Sequence, residues 1–60
     1  MTMTIREKRE AKEMGYKHRA FFINPHGVPF HKDFRTGEEM ERFIEKAREV
    51  GTKLTGFVGI

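Results

Sequence analysis

The sequence predicts a small α+β domain of element order α-β-β-α-β, with a three-stranded antiparallel sheet in the order 2-1-3 and one amphipathic helix on one face. Three observations carry that expectation. Asn24-Pro25-His26-Gly27 has the chemistry of a hairpin turn: asparagine suits the first turn position, proline fixes φ at the second, and glycine supplies the left-handed residue that closes the loop. Met40, Phe43, Ile44, Ala47 and Val50 recur at helical spacing between Thr36 and Gly51. Lys53 to Ile60 then reads as a strand weakened by Gly56 and Gly59. A right-handed crossover through the helix brings this last strand beside the first.

Taken in order, Thr4-Ile5-Arg6-Glu7 is a capping-box pattern, with Thr4 as N-cap and Glu7 reaching back. The helix it starts runs to about Met14, where Gly15 takes the C′ position. Its apolar pattern is poor. Met3, Ala11 and Met14 share a side, Ile5 points elsewhere, and Glu7 and Glu10 interrupt the stripe. So short a helix is marginal alone in water. It is expected either to dock through Met3, Ala11 and Met14 or to fray until a partner holds it. The chain 1–60 is accordingly one domain, with residues 1–15 as its N-terminal helical segment.

The first two strands span roughly 17–24 and 28–34. Asn-Pro-X-Gly specifies a type I turn followed by a G1 bulge, and that loop sets the register. Asn24 opposes Val28, Phe22 opposes Phe30, and Ala20 opposes Lys32 on one face. Ile23 opposes Pro29, Phe21 opposes His31, and Arg19 opposes Asp33 on the other. The Arg19–Asp33 pair is expected to contribute ~0.2–1 kcal/mol as a cross-strand ion pair. Pro29 cannot donate to a ladder, which puts the second strand at an edge.

Thr36-Gly37-Glu38-Glu39 repeats the capping-box pattern at the second helix, with acidic residues where the helix dipole favours them. Glu38 and Arg42 form an i,i+4 pair on its exposed side, and Gly51 ends it. In the third strand, strict alternation sends Leu54, Val58 and Ile60 one way and Lys53, Thr55 and Phe57 the other. The expected core is Ala20, Phe22, Val28, Phe30 and Phe34 against Met40, Phe43, Ile44, Ala47 and Val50, completed by Leu54 and Val58.

The opposite sheet face is the functional candidate. It would carry Phe21, Ile23 and Phe57 beside Lys17, Arg19, His31 and Lys53. A solvated sheet face is normally polar, and this one is aromatic and basic. Either the first helix covers it as a second core layer, or it binds something.

Composition narrows the choice. The net charge of +3 sits in the N-terminal third, where residues 1–20 hold six Lys/Arg against three Glu. That suits an acidic partner or a phosphate backbone. The charges of residues 6–19 alternate, as on a solvated helix. There is no cysteine, so neither a disulfide nor a Cys-based zinc site is available, which suits a reducing cytoplasm. His18, His26 and His31 fall on opposite faces and in the turn, so they do not converge on a metal. Glu38, Glu39, Glu41, Glu45 and Glu49 read as a solvated helix face. No Ser-His-Asp set or phosphate-cradling glycine loop is present, and neither catalysis nor a cofactor is expected. No apolar run approaches the ~20 residues of a membrane span.

The expectation is therefore non-enzymatic binding: a regulator or inhibitor that docks on a larger protein through the second sheet face, a strand edge or the first helix. Small phage-encoded modulators of host enzymes have this size and layout. The alternative is a single-stranded nucleic-acid module that stacks bases on Phe21 and Phe57 while Lys17, Arg19 and Lys53 follow the backbone. Self-association through the same face is the third reading.

Overall fold

A computed structural model describes residues 3–60. The element order is α1 (Ile5–Glu13), β1 (His18–Ile23), β2 (Pro29–Phe34), α2 (Gly37–Glu49) and β3 (Lys53–Gly59). The three strands form one antiparallel sheet in the order β2-β1-β3, as the sequence predicts.

Local chemistry starts and stops each element. Thr4 and Thr36 are extended N-caps whose hydroxyls accept from the Glu7 and Glu39 amides at 3.1 and 3.2 Å. Both helices end in Schellman motifs. Gly15 (φ 86°) donates to Lys12 while Tyr16 donates to Ala11; Gly51 (φ 84°) donates to Arg48 while Thr52 donates to Ala47. In the hairpin the Gly27 amide donates to the Asn24 carbonyl at 2.9 Å, closing the type I turn, and Gly27 sits at φ 81°. The Asn24 side-chain oxygen accepts from the His26 and Val28 amides, each at 2.9 Å, which locks the loop from within. The resulting β1–β2 register pairs Phe22 with Phe30, Phe21 with His31 and Arg19 with Asp33.

The core lies between the sheet and α2. Ala20, Phe22 and Phe34 are buried, with Met40, Phe43 and Ile44 packed against them. Phe22, only 1% exposed, is held between the stacked ring of Phe30 at 5.2 Å and the edge of Phe43 at 5.1 Å. Phe43 also meets Phe34 at 5.5 Å, and α2 touches all three strands of the sheet.

This core is smaller than the sequence pattern implied. Val28, Val50, Phe30 and Leu54 were expected inside, yet all four are exposed. One helix touching all three strands cannot cover the whole face, and the hairpin end and Leu54 and Phe57 of β3 stay open. Met14 is likewise exposed rather than docked, because the Schellman turn carries it off the buried side of α1, where Ala11 is the buried residue.

The larger correction concerns β3. Its pairing with β1 shifts between Phe21 and Phe22: Leu54 opposes Phe22, but Gly56 opposes Phe21. Thr55 is the extra residue of a β-bulge, and one extra residue reverses the alternation beyond it. Phe57 then opposes Ala20 and Val58 opposes Arg19. Phe57 therefore shares the α2 face, and Val58 and Ile60 fall on the second face, the reverse of the strict alternation expected from the sequence.

Candidate functional site

The middle of the second sheet face is covered. Helix α1 lies over it, tied down by Arg19, whose side chain is 9% exposed. The guanidinium donates from Nε to Asp33 Oδ1 at 2.6 Å, from Nη2 to Asp33 Oδ2 at 2.9 Å, and from Nη1 to Glu7 Oε2 at 2.6 Å. This is a bidentate fork on β2 with a third bond to α1, the geometry in which arginine pairs are strongest. No described side-chain nitrogen or oxygen that is fully buried lacks a partner. Arg35 adds a second tie, reaching the Met14 carbonyl at 3.3 Å and lying 4.9 Å over the Tyr16 ring.

The ion triad has an electrostatic signature. Hydrogen bonding to Arg19 holds the Asp33 carboxyl below the ordinary aspartate value; burial opposes this, while the charges of Arg19 and His31 reinforce it. A depressed folded pKa means stability that is fully present above the unfolded value of ~3.9 and is lost as pH falls through the folded one. Wild type should therefore exceed Asp33→Asn in urea stability at about pH 6, and that margin should close below about pH 4. A margin unchanged down to about pH 2 would show that the pair contributes no charge-dependent stability.

The seven residues predicted to form one binding face are thus separated. Arg19 and Phe21 are buried, Phe21 at 8% exposure with His31 edge-on at 6.3 Å. Ile23, His31 and Lys53 remain exposed at the hairpin end of that face, and Lys17 is exposed at the far end. Phe57, 61% exposed, is on the other face. A stacking pair of Phe21 and Phe57 does not exist, because the bulge places them on opposite sides and α1 covers the first. His18 opposes Phe34 and His31 opposes Phe21, so these histidines also point to opposite faces.

What remains open is the outer edge of β3. The Ile60 amide donates to the Lys17 carbonyl at 2.9 Å. Bonded pairs alternate along an antiparallel ladder, so Val58 and Gly56 turn their amides toward β1. Phe57 and Gly59 turn theirs to the free edge. The two sheet edges differ in how they are guarded. On β2 the outward positions are Pro29, His31 and Asp33, a proline and two polar side chains of the kind that discourage further pairing. On β3, Lys53 is the only charged residue among KLTGFVG, and the exposed side chains of Leu54 and Phe57 flank the edge.

Sequence reasoning missed Glu7 as an Arg19 partner, having read it only as half of a capping box. It makes both contacts: the Thr4 hydroxyl donates to Glu7 Oε1 at 3.2 Å while Oε2 takes Arg19. No family model, curated protein or solved structure matches this chain. Its surfaces are therefore read from their own chemistry.

Proposed function

We propose that this is a non-enzymatic binding module that docks on a larger protein by adding β3 to the partner's sheet. The observation that carries the reading is the unguarded β3 edge with Phe57 beside it. Main-chain bonds from the Phe57 and Gly59 positions would supply affinity, and Phe57 and Leu54 would fill side-chain pockets. An exposed phenylalanine next to unpaired strand edge is a surface that soluble domains otherwise blunt. Each copy of this chain carries +3, which disfavours pairing two copies and favours an oppositely charged surface.

The test is affinity capture with wild type, Gly59→Pro and Phe57→Ser, each first shown to be folded by circular dichroism. Gly59→Pro removes an outward amide and Phe57→Ser removes the anchor, so each should weaken retention by at least about tenfold. His31→Ser, on the guarded edge, should retain the partner. Retention of every partner by both folded β3 variants would remove the proposal. Sedimentation of wild type gives the other adverse result: a β3-dependent dimer would assign the edge to a second copy of the chain.

A further inference from the structure

On the opposite flank of the molecule, strand β2 and helix α2 border an open groove of about 410 Å³ lined chiefly by cations and rings. Lys32 and Arg35 come from β2 and the turn after it, and Arg42 and Lys46 from one face of α2 at i and i+4. Among the described residues, Lys32, Arg35 and Lys46 have no carboxylate within 4.0 Å, and Arg42 only reaches Glu38 at 3.9 Å. Two acids also line the groove. Asp33 is already chelated by Arg19, which leaves Glu39 as the carboxylate facing four cations. Like charges at i,i+4 on a helix destabilise it slightly, and Arg42 and Lys46 stand at that spacing with one exposed Glu38 contact and Glu39 as their acidic neighbours. Two of the cations cap rings of the protein itself: Lys32 Nζ lies 5.4 Å from the Phe43 centroid, and Arg35 covers one side of Tyr16.

We infer that this groove binds the phosphate backbone of a single-stranded nucleic acid. Cations on two walls can bracket a phosphodiester chain. Phe30, stacked on Phe22 and exposed one pleat before Lys32 on the same face, presents a ring edge to an adjoining base. The exposed Phe30 ring beside these cations favours a nucleic acid over an acidic peptide, which needs only the charges. The site is separate from β3, so it stands or falls independently of the strand-addition proposal.

Three unpaired cations predict a salt slope near −2, from about 0.7 counterions released per single-strand phosphate neutralised. Affinity for a fluorescein-labelled oligothymidylate, followed by anisotropy, should then fall about twentyfold between 50 and 200 mM salt. Lys32→Gln/Lys46→Gln should weaken binding at least about tenfold and flatten the slope. Arg42→Gln/Lys46→Gln, with both changes on the exposed side of α2, repeats the test should the first variant lose its fold. The control Lys8→Gln/Lys12→Gln removes the same net charge from α1 and should change affinity less than about twofold. A wild-type Kd weaker than ~0.1 mM at low salt overturns the inference, as do equal losses in groove and control variants. Tighter binding of a polyglutamate peptide than of the oligonucleotide overturns it in favour of an acidic polypeptide.

Discussion

Phe22→Ala is expected to cost about 3–5 kcal/mol of folding stability, the usual range for emptying a buried phenylalanine site. The reason is the thinness of this core. Phe22 bridges Phe30 and Phe43, and only Ala20 and Phe34 accompany it as buried residues of the central cluster. Neighbours on an edge strand and a single helix can collapse only partly into the space. At ~0.05–0.15 kcal/mol per residue, a chain of this length has about 3–9 kcal/mol in total, so this one change removes much of it. Thermal and urea unfolding followed by circular dichroism should show a lowered, shallow transition or none. Phe57→Ala, at an exposed site on the same face, should stay within about 0.5 kcal/mol of wild type. A fall in Tm of less than about 8 °C for Phe22→Ala would mean that the core is not organised around this ring.

Arg19→Ala is expected to cost about 3 kcal/mol, the lower end of the range for breaking a buried ion pair from one side. Asp33, 17% exposed beside Arg19, would lose its fork, whereas Glu7, at 45%, can turn to water, which keeps the loss from being larger. The loss should be local before it is global. Amides of α1 should exchange faster than those of β1, because Arg19 joins the body of α1 to the sheet through Glu7, while Arg35 holds only its C-terminal end. Arg19→Met/Asp33→Leu should recover most of the stability, since an apolar pair in place of a buried ion pair is often neutral or better. Equal destabilisation of both variants, or unchanged exchange in α1, would show that the helix is held by packing rather than by this arginine.

Much of the fold was legible in the sequence because its signals are short in range. The turn at Asn24 to Gly27 is specified by the φ preferences of its own residues and by the Asn24 side chain. The caps at Thr4 and Thr36, and the left-handed Gly15 and Gly51, act within one helical turn of themselves. From the turn the β1–β2 register followed, including the pairing of Arg19 with Asp33. The candidate surfaces were less legible. Lys32, paired with Ala20 as the hairpin register predicts, lines the cationic groove. Its companions Arg35, Arg42 and Lys46 are scattered over the sequence and converge only when β2 and α2 pack together.

The sequence by itself determined the five elements, their order, the hairpin register and the choice of β2 as an edge, since these depend on local dihedral preferences and the period of apolar residues. Tertiary structure decided which face each β3 residue takes and what happens to the aromatic, basic side of the sheet. The bulge at Thr55 depends on how β3 meets β1; Gly56 beside it is a residue that often marks a bulge, but it does not by itself say which way the register shifts. Helix α1 covers the second face because Arg19, Glu7 and Asp33, far apart in sequence, satisfy one another there. That closure buries Phe21, while the bulge sends Phe57 to the α2 side, beside the free edge of β3.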